Sequence, residues 1–312
     1  MIRQAQSGNA RIPKRRGIRL EPYLLLLPSI LLIGIFKIYP IFYSLAESFV
    51  KSARGGVLRF VGLDNYLSLF SEPTFAHSLG ITVWFCAVTT VLQVVLAIVL
   101  ALFLNRRSKA VRMARTLIYI PVSVSMVIAC TVWNLFFSAS TGIINTVLSS
   151  LGLREQPFLT SRDQALYVIM FVCCWKGIPY WMMFLLAGLQ NINASVYEAA
   201  KLDGAGFWTT LFRITLPMLK NSLVFVIISD TLINVFMFVP VYLLTDGGPS
   251  MSTDTLMYEA YRSAFSYGNY PRAYALVTVM MIIAIVIAAV QMAITRDNEP
   301  RAARRVKGGA RA

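Results

Sequence analysis

The chain has 312 residues, of which 57% are apolar and only 14% charged, with a mean hydropathy of +0.65 and a formal net charge of +15. Soluble domains carry about 25% charged residues, so this composition excludes one and makes lipid the main solvent. Nor is the positive charge a nucleic-acid footprint, because the cations flank apolar runs instead of gathering on one stretch.

Six runs reach the roughly 20 mostly apolar residues that a helical span needs. They are Tyr23–Ser44, Ser78–Leu104, Thr116–Phe137, Ala165–Gln190, Met218–Leu244 and Arg272–Thr295. Hydrocarbon cannot satisfy backbone polar groups, so each run is predicted helical and the fold all-α integral membrane. The first run passes into Lys37-Ile38-Tyr39-Pro40 without a small-x-small cleavage site and reads as a retained helix. Residues 1–20 then form a basic tail, 21–296 one six-helix transmembrane domain, and 297–312 a second basic tail. Between the runs, Phe60–Tyr66 predicts a turn followed by a short interfacial helix over Leu67–Phe70. Thr141–Leu151 is apolar but too short to cross, and Thr245-Asp246-Gly247-Gly248-Pro249 marks a turn before the last run.

The tails and inter-run loops on one side hold twenty of the 29 Lys and Arg residues, and the opposite loops hold seven although they are longer. By the positive-inside rule both termini and the loop 193–217 face the cytosol of a multi-pass membrane protein. Cys86, Cys130, Cys173 and Cys174 all fall inside runs and read as packing residues. His77 is the only histidine, so no multi-His metal site is expected, and no G-x-x-x-x-G-K-[ST] loop is present to cradle ATP phosphates. The reading is a chain with no catalytic residue, no metal and no cofactor of its own.

Charges at mid-bilayer cost about 3 kcal/mol on insertion scales, so each needs a reason. Lys176 lies halfway along the fourth run and shares a helical face with Tyr180, flanked by Trp175 and Trp181; Asp230 lies halfway along the fifth and shares a face with Asn234. Two readings stand. In one, Trp175, Lys176, Tyr180, Asp230 and Asn234 line a translocation path that exchanges hydrogen bonds with hydroxyls. In the other, Lys176 and Asp230 pair across two helices and hold the bundle together.

The most specific feature lies in the polar interval between the fourth and fifth runs. Glu198-Ala199-Ala200-Lys201-Leu202-Asp203-Gly204 is followed, after nine intervening residues, by Ile214-Thr215-Leu216-Pro217. Ser195-Val196-Tyr197-Glu198 has capping-box spacing, predicting a helix from Val196. Gly204 and Gly206 would break it, and Pro217 would bend the chain before the fifth span. This stretch resembles, position for position, the EAA-x3-G-x9-I-x-LP loop of permeases of binding-protein-dependent ABC importers, sugar-type branch. The resemblance covers residues 21 to 295; Phe60-Val61-Gly62-Leu63-Asp64-Asn65-Tyr66 and the loop from Thr245 are also similar to that branch.

The resemblance implies a type I importer permease fold with six transmembrane helices and a cytoplasmic coupling helix. It implies that Glu198 pairs with a cation on a cytosolic ATPase, and that Ala199, Ala200, Asp203, Gly204 and Ala205 form the fitted surface. It implies further partners: a second homologous permease, two copies of the ATPase carrying ATP and Mg, and an extracytoplasmic substrate-binding protein. The cargo it implies is a carbohydrate; Lys176 and the external arginines leave glycerol phosphate or another anionic polyol open. A stand-alone secondary transporter is the rival, distinguished by inverted repeats, helices broken at the midplane and coupling carboxylates.

Overall fold

The structure is a computed structural model that describes residues 21–52, 58–106 and 108–297. The N-terminal tail, Arg54, Arg107 and the C-terminal tail from residue 298 lie outside the described residues. In chain order, helix α1 (Leu24–Glu47) leads into a two-stranded antiparallel ribbon, β1 (Val50–Ser52) and β2 (Leu58–Phe60), with Val50 opposite Phe60. A short α2 (Asp64–Ser71) follows, then the long α3 (Pro73–Phe103), α4 (Lys109–Ser123), α5 (Met126–Phe136) and the short α6 (Ile143–Ser150). The second half holds α7 (Ala165–Gln190), α8 (Ala194–Leu202), α9 (Phe207–Val235), α10 (Val239–Leu244), α11 (Leu256–Tyr261) and α12 (Tyr270–Asp297).

Five of these helices are long and apolar enough to cross a membrane, and α4 with α5 makes a sixth crossing only if the bent pair counts as one span. The fourth run matches α7 end to end. The third run, expected as one helix, is broken after Ser123 and turns through 95° into α5. Pro121 and the extended backbone at Val124 and Ser125 account for the stop, and Ser125 starts α5 by accepting a hydrogen bond from the Ile128 N–H at 3.3 Å. The fifth span is also shifted. It begins at Phe207, inside the loop motif, and ends at Val235, with Val239–Leu244 forming a separate turn of helix. Pro217 does not end it. A π turn over Leu211–Thr215 carries the chain past the missing N–H.

The core is a helix sandwich in which α3 makes its most extensive contact with α7, and α9 packs against both. Towards the α8 end, Ala97 and Ala101 of α3 let Met182, Leu185 and Leu189 of α7 and Leu219 of α9 close in. At the opposite end Leu69, Phe75, Leu256 and Leu276 bring α2, α3, α11 and α12 together. Helix α1 stays outside this core; Leu25 is 81% exposed and no residue along its best apolar window is buried. All four cysteines are buried and unpaired.

The end of the bundle away from α8 is tied by an ion network that the sequence alone did not reveal. Arg272 donates to Glu259 Oε1 at 2.6 Å and to Glu72 Oε2 at 2.6 Å. Arg262 donates to Glu259 Oε2 and, at 2.7 Å, to Asp254 Oδ2, which also accepts from Ser78 at 3.2 Å. Asp254 and Glu259 are both buried. Burial pushes the Asp254 carboxyl up to about 6; the Arg262 charge opposes this rise and the Glu259 charge adds to it.

Two outcomes follow. Glu259→Ala removes the acid shared by both arginines and should lower the stability of the detergent-solubilised chain by about 3 kcal/mol, read as a lower thermal midpoint. Between about pH 4 and 6 the folded loop keeps a proton on Asp254 that the unfolded chain releases. This group's contribution to stability therefore falls as pH rises through that window and is level above it. Asp254→Asn should flatten that segment of a midpoint-against-pH curve.

Candidate functional site: a midspan polar cavity and an outward elbow

Helices α3, α7 and α9 each place polar side chains at one level of the bundle, and these converge. Gln93, Lys176, Tyr180, Asp230 and Asn234 line one cavity of about 270 Å³ together with Trp181 and Met237. Four of the five expected pathway residues thus meet there. Trp175 does not; it packs edge to face on Trp133 of α5, ring centroids 5.5 Å apart.

Lys176 and Asp230 share the cavity but form no ion pair. The Lys176 ammonium is directed at the break between α4 and α5, where it donates to the carbonyls of Pro121 at 3.3 Å, Val122 at 3.0 Å and Val124. These carbonyls stand at the C-terminal end of α4, where no following turn of helix supplies N–H groups and the helix dipole is negative. An ammonium has three donors, and all three are used. Of the two readings left open by the sequence, the one in which Lys176 and Asp230 pair across two helices is not what the structure has: the lysine caps a broken helix.

Asp230 is held instead by Trp181, whose indole N–H donates to Oδ1 at 2.6 Å. Asn234 donates to the Thr90 hydroxyl at 3.0 Å, and Gln93 donates to the Cys173 carbonyl at 3.0 Å. Gln93 reaches that carbonyl because Gly177 has no side chain; a Cβ there would lie 2.4 Å from the Gln93 amide nitrogen. Lys176, Trp181, Asn234 and Gln93 thus each donate to the scaffold, while Asp230 Oδ2, Asn234 Oδ1 and Gln93 Oε1 are buried with no protein hydrogen-bond partner. These oxygens can accept hydrogen bonds, and the Tyr180 hydroxyl beside them can donate or accept. Sequence reasoning missed Gln93, although a lone amide inside a 31-residue apolar helix was a usable signal.

The second element is the α7–α9 connection. Helix α8 starts at Ala194, two residues earlier than expected, because Asn193 is the cap; its Oδ1 accepts from the Ser195 N–H at 3.2 Å. Asparagine caps as well as serine does, and Glu198 then lies beyond the first turn with no cap to serve. The helix ends in a Schellman motif. The Ala205 N–H donates to the Ala200 carbonyl at 2.9 Å and the Gly204 N–H to the Lys201 carbonyl at 3.1 Å, with Gly204 at φ +71°. Glu198, Ala199, Asp203 and Gly204 are exposed and Ala205 is partly so. Ala200 is turned inward at 5% exposure, so it supports the helix from beneath and presents nothing outward. Leu202, at 89% exposure, stands beside Phe207, Trp208 and Phe212, all exposed as well. From the inner side, the Thr215 hydroxyl donates to Tyr197 at 3.4 Å and links α8 to the base of α9.

An exchange of charges tests the reading of Lys176. Because the two groups do not pair, Lys176→Asp combined with Asp230→Lys should remain as defective as either single change in folding yield and thermal midpoint. Recovery in the double variant would show a direct pair.

Comparison with known proteins agrees with this architecture. A profile described as "Binding-protein-dependent transport system inner membrane component" matches residues 93–304. A lactose transport system permease protein of Rhizobium radiobacter is 34% identical over 276 residues, covering 86% of this chain and 92% of that protein. An sn-glycerol-3-phosphate transport system permease protein of Agrobacterium fabrum is 32% identical over 279 residues, covering 88% and 94%. Among solved structures, a bacterial alginate ABC transporter in complex with its alginate pentasaccharide-bound periplasmic protein superposes with a TM-score of 0.80 at 25% identity, covering 89% of this chain and 94% of that one. The chain thus belongs to the inner-membrane components of binding-protein-dependent transport systems, and is a multi-pass permease subunit with the type I ABC importer fold.

Proposed function

We propose that this permease forms one half of the translocation pathway of an ATP-driven carbohydrate importer, with a second, similar permease completing the other half. The observation that carries the reading is α8: a short, Schellman-closed helix that projects Glu198, Ala199, Asp203 and Gly204 outward between two spans while Tyr197 and Ala200 anchor it. Such an element receives force from a docked partner and passes it to α9. The exposed Leu202, Phe207, Trp208 and Phe212 beside it suit burial by a protein surface. That partner is a cytosolic ATPase, in two copies per importer, carrying the ATP and Mg. Both termini and α8 face the cytosol, as the distribution of Lys and Arg supports, and a substrate-binding protein delivers cargo from the other side.

The cavity around Asp230 is the part of the pathway that meets substrate. At about 270 Å³ it falls just below the roughly 300–1,000 Å³ of complete ligand pockets, which suits a site finished by a second chain. Its unpartnered buried oxygens are acceptors, and the Lys176 donors are engaged by backbone. Sugar hydroxyls, which donate and accept, suit these oxygens and the Tyr180 hydroxyl; a phosphate or carboxylate meets no uncommitted cation there. The relatives named for lactose and sn-glycerol 3-phosphate, and the alginate transporter, bracket the cargo classes, and the lining favours a neutral sugar over the anionic ones.

Gly204 supplies the test. A Cβ at Gly204 meets nothing within 4 Å, so Gly204→Ala carries only the cost of its positive φ, about 1–2 kcal/mol. Gly204→Trp adds bulk to the outward face. In the isolated chain the two variants should insert and melt alike. In proteoliposomes with the partner subunits, the Trp variant should lose ATPase co-purification and sugar-driven uptake by at least about tenfold, the Ala variant far less. Undiminished uptake by the Trp variant would end the coupling proposal.

A further inference from the structure

A second cavity, about 950 Å³, opens at the α8 end of the bundle between the α3–α4 turn and the α7–α8 connection. Arg106, Lys109, Arg112 and Arg115 line it, with Asn191 and Tyr197 across from them, and no acidic side chain among the described residues does so. Arg115 is committed to the fold: its guanidinium donates to the Leu104 carbonyl at 3.0 and 2.5 Å and closes the end of α3. Arg106, Lys109 and Arg112 are exposed and make no ion pair with any described residue. The first turn of the 15-residue α4, capped by Ser108, adds its own positive end to the same space.

We infer that this cavity holds the headgroup of an anionic phospholipid. Three exposed cations and a helix N-terminus around one cavity, with no acidic side chain lining it, attract an anion, and a phosphodiester is the anion abundant at a membrane surface. Depth is set by the flanking surface. Phe103, Met113, Leu117 and Ile120 are strongly exposed apolar side chains on the same two helices. Leu117 lies five residues beyond Arg112, about 7.5 Å along the helix axis. The basic mouth is therefore at the boundary between headgroups and acyl chains, where a lipid can seat its phosphate and leave its tails against α4. An acidic surface of the ATPase is the competing occupant, but those apolar side chains place the mouth against lipid. Which leaflet supplies the lipid rests on the orientation proposed above; the existence of the site does not.

The test uses the full-length chain purified with its partner subunits, supplied with phosphatidylglycerol or phosphatidylcholine and read by native mass spectrometry. Phosphatidylglycerol should be retained in preference to phosphatidylcholine. Arg106→Gln, Lys109→Gln and Arg112→Gln should each lower that retention about fivefold at low salt, whereas removing the same charge from the exposed Arg154 and Arg162, which line no part of the cavity, should not. A headgroup photo-crosslinker should mark residues 105–115 of the unmodified protein. Retention blind to headgroup, or unchanged in the triple cavity variant, overturns the inference. So does equal protection of the crosslinked segment by millimolar inorganic phosphate without lipid, which would mark a free-anion site. Loss of the ATPase with lipid retention intact would assign the cavity to that partner and also overturn it. If the triple variant does not insert, crosslinks on the unmodified protein decide alone. The Gly204 variants leave this cavity intact, so failure of coupling and failure of lipid binding are separately visible.

Discussion

The ammonium of Lys176 closing on three backbone carbonyls is the interaction from which the interior arrangement follows. In hydrocarbon a helix end cannot be left bare, because each unsatisfied carbonyl costs several kcal/mol. The chain nevertheless breaks between Ser123 and Met126 and turns by 95°. That break is tolerable because a cation from α7 reaches the end of α4 and Ser125 receives the start of α5. With the lysine spent on backbone, Asp230 needs another donor and takes the Trp181 indole. Asn234 and Gln93 then turn their amide N–H groups to Thr90 and Cys173, leaving their oxygens free. Pro121 and the extended backbone set where the helix stops, and the lysine that satisfies that end is thereby unavailable to Asp230.

That logic also shows which parts of the molecule could be read from residues alone. The spans were legible because apolar length is a strong signal: Ala165–Gln190 appears as written, and the second and last runs differ from their helices by a few residues at the ends. The break at Val124 was not legible. Thr116–Phe137 is as apolar as a continuous span, and Pro121 is tolerated in many membrane helices; only a donor from a different run makes the break affordable. For the same reason a pair between Lys176 and Asp230 stayed open as one of two readings when each was read on its own helix. Residue 176 is separated from its partners by more than fifty positions. A broken midspan helix is then no mark of a secondary transporter, since this importer permease has one.

The loop motif was legible in position but not in orientation. Sequence spacing located the helix, the glycine stop and the re-entry into the fifth span. It did not show that Asn193 caps the helix, nor that Ala200 faces inward, because a one-residue shift in a helix start rotates every side chain by about 100°. The ion network at the end away from α8 was invisible for a related reason. Glu72, Asp254–Arg262 and Arg272 come from three separate stretches, and Arg262 and Arg272 read as ordinary loop cations until the fold brings them to buried carboxylates.

The two polar ends of the bundle are built on opposite principles, and this asymmetry bears on how the subunit moves. At one end, two half-buried arginines interlock α3, α11 and α12 through the buried Asp254 and Glu259 and through Glu72, so that the surface there is held as a unit. At the other, α8 is joined to the rest by one hydroxyl contact, by Ala200 and by the covalent chain. The basic cavity beside it has no protein counter-charge among the described residues. A lever works when its handle is loosely held and its load is rigid. On the proposed function, force applied to α8 passes into α9 through Thr215 and the π turn, and α9 carries Asp230 and Asn234. In that reading, movement of α9 changes the spacing between those acceptors and the α3 and α7 groups opposite them, and so ties the cavity's hold on a hydrogen-bond donor to the position of a helix about 30 residues earlier in sequence.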